Sequence, residues 1–359
     1  MLFNKKKNVD ASTSGENAIE SRETAGLSQG QIVLRRFVRH RVAMFALFSL
    51  MAIILFVYSA SGLTFGSGSG AAHIPGWWKY SFDTTDIPPL NYDGCPITTP
   101  GCATLNLNPF NGPITIGDHP FGQDDIGRDY FSLVMRGAEQ SILVMVVVGL
   151  VGGFLGTVLG ALSGFYRGFI DSLIMRFTDL IITIPSIIVG AVIGFKFGNL
   201  GVLFLAFYLG MFSWTGLARL VRGEFLTLRE REFVDAARVA GASNRRIIFK
   251  HILPNAVGVI IVSTTLLMSG AILLESALSY LGFGVLPPDV SLGSLISQYQ
   301  TSFVVRPWLF WWPGLFIISI ALCVNFIGDG LRDAFDPRQK RRITAKDRAR
   351  AAKIAAEQA

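Results

Sequence analysis

TLREREFVDAARVAGASNRRIIFKHILPN, residues 227–255, is a charged island in an apolar chain. Eight of the 32 Lys and Arg residues fall between 219 and 250, yet apolar runs long enough to cross a bilayer flank the island on both sides. Polar sequence held between two membrane spans is a loop on one side of the membrane. Its internal signals predict two short helices. Thr227 with Glu230 three residues on fits a capping box. Phe233, Ala236, Ala237 and Ala240 then recur at helical spacing, with Arg231, Asp235 and Arg238 facing elsewhere. Gly241 suits the left-handed residue that ends a helix. Ser243 suits the cap of a second helix, and Pro254 predicts its stop before the next span. The alanine face would let another protein's surface approach closely, although a solvated loop helix without a partner fits the same pattern.

Composition agrees with a membrane class. Of 359 residues 51% are hydrophobic and only 16% charged, mean hydropathy is +0.47, and a soluble domain carries about a quarter charged residues. The net charge of +7 reads as orientation in the membrane rather than nucleic-acid binding, because the basic residues flank apolar runs and form no stripe interleaved with aromatics. Three cysteines without a CxxC, and histidines only at 40, 73, 119 and 251, predict no metal site. The dipeptide Gly-Lys is absent, which excludes a Walker A phosphate loop on this chain. No Ser, His and acid combination or HExxH marks an enzyme. Any ATP hydrolysis, with its ATP and magnesium, is expected on another chain.

Outward from the island, the expected organisation is all-α, with six transmembrane helices. Residues 1–27 read as a disordered polar tail. Residues 28–63 read as an amphipathic helix at the membrane surface, its basic side toward lipid head groups, followed by the first span at 42–63. Residues 64–140 read as a large extracytoplasmic loop, in which Cys95 and Cys102 flank a Pro- and Gly-containing turn and could close a disulfide or stay as thiols. The core at 141–328 holds spans near 141–164, 172–195, 200–220, 256–278 and 308–328, and 329–359 is a basic tail. With both termini cytoplasmic, 27 Lys and Arg lie inside and 5 outside. The organising loop is then cytoplasmic.

Within the spans, Arg176 and Asp179 are spaced to neutralise each other on one helix face. Pro185 predicts a kink. Glu275 near the end of the fifth span reads either as a pathway group or as a local structural cap. Gly152, Gly153, Gly156, Gly160 and Gly164 suit close helix packing.

Asp235-Ala236-Ala237, Gly241 and Ile252-Leu253-Pro254 resemble the EAA loop of ABC importer permeases, with Asp in place of the usual Glu and His251 at a usually apolar position. HPFGQDDIGRDYFSLVMRGAEQSI from His119, ESALSYLGFGVLPPDVSLGSLI from Glu275 and GDGLRDAFDPR from Gly328 are similar to stretches of the dipeptide and oligopeptide branch, in order. The long 64–118 segment departs from that branch. The resemblance implies a coupling helix docked on an ATPase, two ATPase subunits, a second related permease sharing the pore, and an extracytoplasmic binding protein. It also implies alternating access for dipeptides or oligopeptides, with nickel, glutathione or sugars as alternatives in the same branch. An ion-coupled transporter would instead require an inverted repeat and a charged midplane site, and a receptor would require a cytoplasmic output domain. Neither is evident.

Overall fold

A computed structural model describes residues 29–65, 72–74, 76–83, 119–304 and 306–335. The expected tail at 1–27, most of the tail at 329–359 and the expected pairing of Cys95 with Cys102 lie outside the described residues.

The architecture is helical. Helix α1 (Gln29–Arg39) turns at His40 into α2 (Arg41–Ser61). A hairpin of β1 (Leu63–Phe65) and β2 (Ala72–Ile74) follows, with Leu63 opposite Ile74. With an isolated bridge between Gln123 and Asp129 it is the β-structure among the described residues, a departure from the all-α expectation. Then come α3 (Tyr130–Tyr166), α4 (Gly168–Thr183), α5 (Ser186–Phe197), α6 (Val202–Ser213), α7 (Thr215–Arg229) and α8 (Glu232–Val239). The last elements are α9 (Asn244–Tyr280), α10 (Leu292–Tyr299) and α11 (Trp308–Phe335). Helices α2, α3, α9 and α11 are each long and apolar enough to cross a membrane. The pairs α4/α5 and α6/α7 bring the number to six if each bent pair is one span.

Three boundaries differ from expectation. Helix α3 begins at Tyr130, not at 141, where the Asp129 carboxylate caps it by accepting from the Ser132 amide at 2.8 Å. Its first turns are polar but buried. Arg136 donates to Glu139 at 2.9 Å and to Asp289 at 2.9 Å, so polarity there reflects internal pairing and not solvent. Helix α9 begins at Asn244 rather than near 256, running through a wide π-helical segment at Ile247–Ile252. Helix α11 continues to Phe335, past the expected end at 328, and Asp333 on its last turns meets His40 at 3.4 Å.

The expected kink at Pro185 is a 77° bend between α4 and α5. Ile184 before it is extended (φ −89°, ψ 120°), as the residue ahead of a proline is driven to be. The second pair bends by 42° at Trp214.

Helix α3 is the spine. Its glycine edge lies against α7. A Cβ on Gly156 would stand 2.8 Å from the Leu217 side chain, one on Gly160 2.5 Å from the Ala218 carbonyl oxygen, and one on Gly164 2.6 Å from Phe225. The missing side chains let the two backbones approach. Near the loop, Phe165, Leu217, Val221, Phe225, Val234, Ile247 and Ile252 form one buried cluster. At the far end, Phe121, Tyr130, Phe131, Leu292, Tyr299 and Leu309 form another.

Candidate functional site

The loop between α7 and α9 is built on the end of the spine. Thr227 does not cap a helix. Helix α7 carries on through Arg229, and the Thr227 hydroxyl donates back to the Gly223 carbonyl at 3.0 Å, the bond a threonine makes inside a helix. Glu230 is likewise not part of a capping box. Its carboxylate meets Arg167 Nη2 at 2.6 Å, and α8 starts at Glu232 with Arg231 ahead of it and no side-chain cap.

Helix α8 stands on the loop-end cluster through Val234, with Ala237 also buried, while Phe233, Ala236, Val239 and Ala240 are exposed. The expected face of Phe233, Ala236, Ala237 and Ala240 is therefore split. Ala237 turns inward beside Val234, and Phe233, Ala236 and Ala240, one and two turns apart, form the outer face. Asp235 is exposed and pairs with Arg238 at 2.9 Å.

Gly241 closes α8 with φ +76°. Its amide donates to the Arg238 carbonyl at 2.9 Å and the Ala242 amide to the Ala237 carbonyl at 3.0 Å. These are the two bonds of a Schellman ending. Ser243 then caps α9, accepting from the Arg246 amide at 3.4 Å. Pro254 does not stop a helix. It sits just after the π-helical turn, where the Leu253 amide reaches the Ile248 carbonyl. The wider turn suits a residue that has no N–H and whose ring would press on the carbonyl four residues back. From Asn244 the second half of the loop and the span are thus one continuous 37-residue helix.

The corner between α3 and α4 braces the base of this loop. Arg222 grips Asp171 through two hydrogen bonds of 2.6 and 2.7 Å, and Ser163 also donates to Asp171. Arg229 donates to the Phe165 carbonyl and lies over the Phe165 ring. Arg167, at φ +57°, reaches Glu230 from the same corner. Sequence reasoning missed Val234, Arg167 and Arg222. The Arg167-Gly168 step between two apolar runs is the signal that marks the corner.

Elsewhere, Arg176 and Asp179 do not pair. Asp179 meets Arg219 of α7 instead, and Arg176 is exposed and makes no ion pair among the described residues. The helix-to-helix partner displaces the local one because α4 lies alongside α7. Glu275 is fully buried, where Ser141 and Ser279 donate to its two carboxyl oxygens at 2.8 and 2.7 Å.

Residues 156–341 match the family described as binding-protein-dependent transport system inner membrane component. The chain belongs to this family. Residues 28–91 also match the N-terminal TM domain of oligopeptide transport permease C. The oligopeptide transport system permease protein OppC of Escherichia coli is 38% identical over 326 residues, 90% of this chain and 96% of that protein. OppC of Mycobacterium tuberculosis is 34% identical over 311 residues, 86% and 95% of the respective chains. The MetNI methionine ABC transporter in an inward-facing conformation is similar at a TM-score of 0.48 and 19% identity, over 57% of this chain and 96% of that one. As an inner-membrane component of such a system the chain is a multi-pass permease of the inner membrane. The larger family match takes in the glycine edge, both bent pairs, α8, α9 and α11, so the loop and everything that braces it are family territory. The smaller match takes in α1, α2 and the hairpin.

Proposed function

We propose that the chain is one permease of an ATP-driven ABC importer for oligopeptides, and that α8 is the lever through which a separate ATPase moves it. One observation carries this reading. A short helix is held outside the bundle by a fixed ending at Gly241 and braced from below by Val234 and Ala237. It presents Phe233, Ala236 and Ala240 with no covering element among the described residues. Small side chains on a rigid projection suit a groove on another protein. Asp235 and Arg238 flank that face, Gly241 fixes its orientation, and Pro254 with the π-helical turn sets the phase of α9 beneath it.

The rest of the reading follows from that role. The chain crosses the membrane six times with both termini in the cytoplasm, each bent pair counting as one crossing. The excess of Lys and Arg on the loop side supports this orientation. Two ATPase subunits carry ATP and magnesium, a second related permease completes the pore, and a binding protein delivers substrate from outside. Closure of the ATPases draws the α8 loops together, and the nucleotide acts here only through contacts that differ between the two states. Oligopeptides are taken as substrate because the relatives that align over nearly their whole length are oligopeptide permeases. The test reconstitutes the transporter in nanodiscs and measures ATP hydrolysis with and without peptide-loaded binding protein. Stimulation that Ala240→Leu removes, with assembly in the membrane retained, is the expected result. Full stimulation in that variant would overturn the role of α8, and a cognate binding protein that carries nickel, glutathione or a sugar would overturn the substrate.

A further inference from the structure

The exposed side of α1 and the start of α2 is not absorbed by the coupling mechanism. Phe37 is buried among Ala43, Val33, Leu331 and Ala334, which seats α1 on the end of α11. The corner at His40 is fixed from both ring nitrogens. Nδ1 accepts from the Ala43 amide at 3.1 Å, and Nε2 faces Asp333 at 3.4 Å. On the outer side Leu34 and Val38 are 62% and 54% exposed, one turn apart. Arg35 and Arg39 are exposed beside them, also one turn apart. The apolar strip runs on through Val42 and Phe45, 51% and 75% exposed, into the open side of α2, which also carries Phe48 and Leu55.

We propose that this corner is a binding surface for anionic phospholipid. Leu34 and Val38 enter the acyl boundary, and Arg35 and Arg39 take the phosphate and acidic head groups. Two features commit the surface to lipid rather than to a protein. The strip is continuous with one side of a 21-residue membrane-crossing helix. The basic pair lies along its edge, the arrangement of a helix in the plane of the interface. An arginine near an anionic surface contributes roughly fivefold in affinity. Because α1 is seated on α11 through Phe37 and His40–Asp333, the lipid would hold the end of α11 in place while the neighbouring loop moves.

The test places a photoreactive benzophenone side chain at position 38 of the assembled transporter. The nanodiscs contain phosphatidylglycerol and phosphatidylcholine in equal amounts, and the mass of the cross-linked adduct is read. The expected adduct is phosphatidylglycerol, several-fold over phosphatidylcholine. In R35Q/R39Q that preference drops by about an order of magnitude, and R35K/R39K keeps it. A polypeptide adduct, equal adducts of the two lipids, or a preference unchanged in R35Q/R39Q would overturn the proposal. All four residues are exposed, so these substitutions leave the seat of α1 intact.

Discussion

Arg167 Nη2 lies 2.6 Å from Glu230 Oε1, joining the corner of α3 and α4 to the foot of the loop. Both side chains are largely exposed, so the pair contributes less than about 1 kcal/mol to stability. Arg167 holds φ +57° and ψ −167°, a region that costs a non-glycine residue about 1–3 kcal/mol. Arg167→Gly is therefore expected to raise the melting temperature while weakening substrate-stimulated ATP hydrolysis. The exchanged pair R167E/E230R should recover much of the stimulation that either single reversal loses. A melting temperature that falls in Arg167→Gly would remove the strain argument.

Gly241 offers a cleaner separation. A Cβ added there would meet nothing within 4 Å, so any penalty is conformational and not steric. Gly241→Ala should cost about 1–2 kcal/mol, Gly241→Asn less, and Gly241→Val more. ATPase stimulation should decline in the same order, because the ending sets the direction of α8. Equal stability of the alanine and asparagine variants would contradict the left-handed requirement.

Ala236 and Ala237 are neighbours with opposite surroundings, the first exposed and the second buried. Ala237→Leu overfills the cluster around Val234 and is expected to lower stability by roughly 1–3 kcal/mol. Ala236→Leu should leave stability within about 0.5 kcal/mol and yet abolish stimulation. Thermal melting together with ATPase assays on both variants distinguishes packing from docking, and a destabilised Ala236→Leu would defeat the assignment of faces.

Glu275 accepts from two serine hydroxyls, and no cation reaches it among the described residues. Glu275→Gln keeps the shape and can exchange hydrogen bonds with hydroxyls that rotate. It should therefore be tolerated. Glu275→Leu leaves Ser141 and Ser279 without that acceptor and should cost about 1–3 kcal/mol. If transport fails in Glu275→Gln at unchanged stability, the residue acts in the pathway and not as a local tie.

Tyr299 donates to Asp124 at 3.0 Å. Burial first, and then the Asp124 carboxylate, push its hydroxyl well above the ordinary tyrosine range. A folded pKa above the unfolded one gives stability that is complete below about pH 10 and is lost as pH climbs toward the folded value. Melting curves should fall at alkaline pH, and the slope should shrink in Tyr299→Phe.

The broad plan was legible in the sequence because bilayer thickness dictates it. Apolar runs, the charged island, Pro185, Gly241 and Ser243 each announce a local constraint. Helix ends were harder to read. Arg136 and Glu139 look like loop residues until their partners, one of them 153 residues away, are known. Thr227 looks like a cap because a cap and a mid-helix threonine share one residue type. On α8 the expected outer face holds for Phe233, Ala236 and Ala240 but not for Ala237, because what decides burial is which arc meets Ile247 and Ile252, and spacing alone does not show that arc. Pro254 usually means an ending, and here a wide turn absorbs it.

The spacing of Gly156, Gly160 and Gly164 along α3 has a mechanical consequence. Leu217, Val221 and Phe225 of α7 each sit over one of these gaps. Sliding α7 by a fraction of the spacing would drive a side chain against backbone, so the allowed offsets are about 6 Å apart, four residues of helical rise. Such an indexed contact forbids creep. If the loop is a lever, a push entering there would turn α3 and α7 together as one block and would not be lost to sliding between them.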